Sequence, residues 1–113
     1  MEDAVAAVEG ALAERRTGTM VSPPRTSVEI GPSGLTITPG GFLRGRRLGM
    51  RVYLPGGRGG DQLTAVWGLD DRQLRGIVLG SDLGAIRTGA IGGVAAGLMS
   101  HPDAERVAIL GAG

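Results

Sequence analysis

Leu48-Gly49-Met50-Arg51-Val52-Tyr53-Leu54, Leu63-Thr64-Ala65-Val66-Trp67-Gly68-Leu69 and Leu74-Arg75-Gly76-Ile77-Val78-Leu79 are successive runs of strand length. In the second run Leu63, Ala65, Trp67 and Leu69 recur in period two, the pattern of a strand with one face turned to a core. The runs are separated by Pro55-Gly56-Gly57-Arg58-Gly59-Gly60, a loop, and by Asp70-Asp71-Arg72-Gln73, a turn. Strands joined by such short connections predict an antiparallel meander.

Working outward, Ser27 to Ile30 and Leu35 to Thr38 flank the turn residues Gly31-Pro32-Ser33-Gly34 and suit a hairpin, which Pro39-Gly40-Gly41 is expected to end. From Asp3 to Arg16, Val5, Val8 and Leu12 fall on one helical stripe with Gly18 beyond the end, predicting an amphipathic surface helix. Asp82 to Ser100 is helical again in period, with Ser81 or Asp82 available as cap. Gly89, Gly93 and Gly97 recur every fourth residue there. Each interior glycine costs a helix about 1 kcal/mol relative to alanine, so a closely packed neighbour, sheet or helix, is expected. His101-Pro102-Asp103 breaks the helix, and Arg106 to Leu110 reads as a strand entering Gly111-Ala112-Gly113. The expected class is α/β in an α+β arrangement: N-terminal helix, antiparallel meander, long Gly-rich helix, further strand. No internal repeat is visible.

The 113 residues make one domain, long enough to bury about two-thirds of the unfolded surface. With 22 glycines and 3% aromatics, the core must rest on aliphatic side chains and close backbone approach, so marginal stability as a free monomer is expected. A net charge of +1, with charges spread along the chain, excludes a nucleic-acid tail; neither nucleic acid nor membrane is an expected partner. The N-terminus Met1-Glu2-Asp3 is acidic where a signal peptide is basic, and no apolar stretch reaches the roughly 20 residues of a bilayer span, so a cytoplasmic location is expected. Cysteine is absent, every basic residue is Arg, and His101 is the only imidazole. Disulfides, thiol and Schiff-base chemistry and multi-His metal sites are therefore excluded, leaving Arg, carboxylates and hydroxyls.

The run Leu83-Gly84-Ala85-Ile86-Arg87-Thr88-Gly89-Ala90, a small-residue helix, and then His101 through Gly113 together resemble the ornithine cyclodeaminase/mu-crystallin family. Upstream, Pro24-Arg25-Thr26, the strand ending Thr38-Pro39, and Gly49-Met50-Arg51-Val52-Tyr53 fall in the family's order and spacing, so the resemblance covers nearly the whole chain. It implies a substrate-binding and dimerisation domain over residues 1–105. Residues 106–113 would be the first strand and Gly-x-Gly of an NAD(P)-binding Rossmann domain, truncated here, and a homodimer is implied. It also implies NAD or NADP as cofactor of the complete protein, with none expected to be bound by this chain alone, and an α-amino or imino acid as substrate. The implied chemistry is cyclodeamination of ornithine to proline with ammonia release, or amino-acid dehydrogenase or ketimine reductase turnover. No catalytic residue lies in this chain; the family's catalytic Asp belongs to the Rossmann part.

By the same resemblance Arg25, Arg51 and Arg87 form the substrate carboxylate site, and Gly111, Gly113 and Thr64 contact the cofactor. The carboxylate role suits Arg, whose planar fork matches a carboxylate bidentately; on the first turn of a helix, Arg87 would add to the positive end of the dipole. The alternative for each is an ordinary surface Arg, with Asp82 a salt-bridge partner for Arg87. The family usually has Lys at the position of Arg51, and Thr38 replaces its usual Met. Members acting on ornithine carry an acid where this chain has Thr36, which weakens ornithine as the substrate.

Other features read as structural. Arg44, Arg46, Arg47, Arg51 and Arg58 suit a solvated hairpin edge, and the Gly56–Gly60 loop lacks the Lys-Ser or Lys-Thr of a P-loop. His101 suits a carbonyl cap and Asp70-Asp71 a turn. Two further readings stay open: a non-catalytic carboxylate-binding or dimerisation module, and a non-functional gene fragment.

Overall fold

A computed structural model describes residues 1–56 and 61–111. Helix α1 (Glu2–Arg16) leads into strands β1 (Met20–Val21), β2 (Thr26–Ile30), β3 (Ser33–Phe42), β4 (Arg47–Tyr53), β5 (Gln62–Gly68) and β6 (Leu74–Leu79), followed by helix α2 (Asp82–Met99). All pairings are antiparallel, in the order β1-β3-β4-β5-β6, with β2 also on β3. The α+β meander expected from the alternating runs is the architecture observed.

The β2–β3 hairpin closes in two residues, Gly31 and Pro32, with Ile30 paired to Ser33. Gly31 has φ +58° and proline fixes its own φ near −65°, a combination that gives a type II′ turn, whose twist matches the flanking strands. Contrary to expectation, β3 does not stop at Pro39-Gly40-Gly41 but runs on to Phe42. On one edge of β3, β1 pairs at Gly41 and Phe42 while β2 begins at Ile37, so no strand residue there stands opposite Pro39. That gap is where a sheet tolerates proline.

Strand alternation and register sort the sheet into two unlike faces. One carries Ser27, Thr36, Thr38, Arg51, Tyr53, Gln62 and Thr64, with Phe42, Val66 and Val78 among them; the other carries Val28, Leu35, Ile37, Leu48, Met50, Val52, Leu63, Trp67, Ile77 and Leu79. A bulge where Trp67 pairs with Leu74 but Val66 with Gly76 makes Arg75 the extra residue and turns Leu74 to the apolar face. Much of that face is open, with Ile77 53% and Leu79 75% exposed. Between sheet strands Gly49 is forced by proximity: a Cβ there would lie 2.7 Å from the Ala65 carbonyl oxygen.

The helices pack on each other. Ala90 and Val94 of α2 are buried, and a Cβ on Gly93 would touch Val5 of α1 at 3.4 Å. The close neighbour implied by the glycines is thus α1, but only part of the stripe meets it, since nothing lies within 4 Å of a Cβ at Gly97. Leu12, expected on the buried stripe of α1, is instead exposed. Ser81 precedes α2 without a side-chain capping bond.

Residues 106–110, expected as a strand, form none; Leu110 is 99% exposed. A β-prone run needs a neighbour for its backbone hydrogen bonds, and none of the described strands pairs with it.

Gly97→Ala is expected to raise stability by about 1 kcal/mol, because the methyl group enters open space and the helix loses a flexible position. Gly49→Ala is expected to destabilise, the added carbon colliding with backbone. Urea unfolding of both variants checks the opposite signs.

Candidate functional site

The register of the three central strands sets Thr38, Arg51 and Thr64 in one row across the polar face, with Thr36, Tyr53 and Gln62 in the next. After β6 the Gly80 N–H donates to the Gln62 carbonyl at 2.8 Å, stitching the chain to β5 just before α2 begins. The first turn of α2 then lies beside the row: a Cβ on Gly84 would sit 3.6 Å from Arg51 Nη1 and 3.8 Å from Gln62 Oε1. A bulky side chain at position 84 would occupy the place of the guanidinium.

Sheet and helix enclose an open cavity of about 350 Å³, lined by Thr38, Arg51, Gln62, Thr64, Leu83 and Arg87 among others. The volume lies in the roughly 300–1,000 Å³ range of small-molecule sites. Arg51 and Arg87 both line it, and no Asp or Glu does. Neither makes a salt bridge among the described residues; Asp82, the alternative partner for Arg87, is not engaged. Arg87 lies in the second turn of α2, one turn later than expected. With Arg47 also in the lining, the cavity gathers three permanently charged Arg residues beside the positive end of a helix dipole, an arrangement that an entering anion would relieve.

Arg25 does not line the cavity. It precedes β2, and its Nη1 donates to the Tyr53 hydroxyl at 3.4 Å, while the Arg51 guanidinium stacks 4.6 Å from the centre of the Tyr53 ring. The three Arg residues expected in one pocket are thus two in the cavity and one reached through Tyr53. Gln62, a lining residue, and Tyr53, which contacts Arg51 and Arg25 outside the lining, were missed; the signal was the alternation that puts Tyr53 on the face of Arg51 and opposite Gln62.

Of the residues expected at the cofactor, Thr64 lines the cavity and Gly111 does not. Gly111 has φ +86° in a segment without regular structure, and Gly113 lies outside the described residues. Pyrophosphate recognition needs a strand, a glycine turn and a following helix N-terminus. The described residues supply no such unit and do not by themselves fit a dinucleotide.

Several of the other candidates have structural partners. Arg46 pairs with Asp70, anchoring the β3–β4 turn; Arg58 lies outside the described residues. His101 caps no helix carbonyl: its Nδ1 accepts the Asp103 N–H at 3.2 Å. Asp71 accepts the Gln73 backbone N–H at 3.1 Å and pairs with Arg75. The Gln73 amide above all, with Arg75 adding to it, holds the Asp71 carboxyl below its usual range. No helix of the described residues is long and apolar enough to cross a membrane.

No protein-family model matches the chain, and no curated protein matches it. Solved structures do. An archaeal alanine dehydrogenase dimer with bound NAD superposes at a TM-score of 0.76 with 20% identity, over 90% of this chain and 33% of its own. A probable ornithine cyclodeaminase from Bordetella pertussis Tohama I superposes at 0.79 with 18% identity, over 89% and 32%. The chain has the ornithine cyclodeaminase/mu-crystallin fold. It spans about a third of the length of each of these structures.

Because its folded-state acidity is increased, Asp71 contributes stability that is fully present above the ordinary carboxylate value and is lost as pH falls through the depressed one. Asp71→Asn is expected to be the less stable protein at pH 7, with the difference shrinking below about pH 4. Thermal unfolding across pH 2 to 7 reads this out.

Proposed function

We propose that this chain is the substrate-binding part of an NAD(P)-dependent enzyme acting on an α-amino or imino acid, in which Arg51 and Arg87 grip the carboxylate. The observation that carries it is the meeting of those two guanidinium groups, one from β4 and one from α2, in a cavity lined by no acid. The fold supports the class, being shared with a dehydrogenase that binds NAD.

A forked donor pair fixes both the position and the plane of a carboxylate, so the rest of the ligand is aimed. Misplacement by about 1 Å can cost on the order of a hundredfold in rate, which makes such aiming the contribution of this domain. Residues 1–105 would serve binding and dimerisation, and 106–113 would open the cofactor domain, which supplies hydride acceptance and the catalytic acid or base. No step of that chemistry is assigned to the described residues.

The lining also restricts the substrate. Thr36, outside the lining, holds the position where ornithine-acting members of the resembled family carry an acid, and its hydroxyl is engaged with Ser27 at 3.1 Å. With no carboxylate in the cavity, a cationic side chain finds no partner, so an amino or imino acid with an uncharged side chain fits better than ornithine.

A homodimer completes the reading. The open apolar sheet face is a large unpartnered surface of the kind that marks an interface, and the dehydrogenase of the same fold is a dimer.

The test is a titration of the chain with pyruvate as a carboxylate probe, followed by calorimetry or NMR. Binding is expected, with Arg87→Ala and Arg51→Ala each weakening it about tenfold or more, in line with a lost charged hydrogen bond of roughly 1.5–3 kcal/mol. Unchanged binding in both variants, or oxidation of an amino acid by the isolated chain with NAD, would sink the assignment. Separately, Ile77→Asp is expected to convert a dimer to a monomer in sedimentation velocity.

A further inference from the structure

We propose that Tyr53 is a positioning residue of the cavity, its ring holding Arg51 in place and its hydroxyl coupling Arg25 to the same group. This rests on the carboxylate reading of Arg51 and Arg87.

An Arg on an open sheet face has many rotamers, and each hydrogen bond to a ligand must offset the loss of that freedom. Arg51 and Tyr53 are two residues apart on β4 and so share a face. The guanidinium lies 4.6 Å from the ring centre, within cation–π range. It also lies near the first turn of α2, where a Cβ on Gly84 would stand 3.6 Å from its Nη1. Ring and helix turn are thus both neighbours of the guanidinium, and together they limit the rotamers open to a side chain that lines the cavity.

The hydroxyl end of the ring takes the Arg25 guanidinium at 3.4 Å. Arg25 enters from the other side of β3, so Tyr53 is the only described side chain hydrogen-bonded to it. The hydroxyl accepts from Arg25 while the π face receives Arg51, and no described acid pairs with either cation. Arg25 therefore acts on the site through the ring and adds positive potential behind Arg51 without lining the cavity.

The experiment uses the whole 113-residue chain, isotope-labelled, with pyruvate as probe. Without ligand, the side-chain protons of Arg51 are expected upfield from the ring current of Tyr53, in the parent and in Tyr53→Phe but not in Tyr53→Leu. Tyr53→Leu is expected to bind pyruvate about two- to fivefold more weakly, the size of an exposed cation–π contact. Tyr53→Phe restores most of that loss, and Arg25→Ala is expected to have no added effect in the Phe background. Normal Arg51 shifts in the parent chain overturn the proposal even if the Leu variant does not fold. Parent-like affinity in Tyr53→Leu overturns it while leaving the carboxylate site intact, provided Arg87→Ala still loses binding. A parent chain that ignores pyruvate overturns both.

Discussion

The register between β3, β4 and β5 is the constraint on which the site depends. Pairing Thr38 with Arg51 and Arg51 with Thr64 puts most polar side chains of the three strands on one face and most aliphatic ones on the other, with Val66 an exception on the polar face. A slip by one residue would exchange the two sets, burying a guanidinium where apolar contact is needed. Close passage of Gly49 against Ala65 helps hold that register, because nothing larger fits at the crossing. The helix that brings Arg87 follows from the same order, since α2 starts where β6 is tied back to β5 through Gly80.

The division of labour between faces also explains the small interior. Among the described residues only Thr36, Ala65, Gly68, Ala90 and Val94 are buried, and the two helices contact each other more than they cover the sheet. Hydrophobic burial is the main stabilising contribution to a fold, so a sheet that leaves one aliphatic face open draws part of its stability from whatever covers that face. The glycine-rich composition points the same way, with backbone contact replacing side-chain bulk.

Much of this was legible in the residues. Alternation in Leu63, Ala65, Trp67 and the turn chemistry around Gly31 and Asp70 carried the meander, because period and turn type are local properties. Pro39 misled, since proline's missing N–H normally ends pairing and only the tertiary gap between two short edge strands removes the cost. Arg106 to Leu110 misled for the complementary reason: β propensity describes fitness for a sheet, and pairing requires a neighbour. For the site, Arg51, Arg87 and Thr64 came from motif resemblance, and they share the cavity. Arg25 could not be placed from sequence, because its position depends on which face of β2 it follows. Gln62 and the doubled role of Tyr53 depend on contacts across strands, which no single run reveals.

The Gly31-Pro32 turn has reach beyond its own two residues. It locks β2 to β3 by chirality, and Arg25 lies six residues upstream, roughly 20 Å along an extended chain. An inserted residue that left the bend at two residues would slip the register by one, sending Arg25 to the oily side of the sheet while Arg51 and Arg87 stayed where they are. A mirror-image corner at one rim thus decides whether a charge at the opposite rim faces the cavity's neighbourhood, an influence carried wholly by backbone geometry.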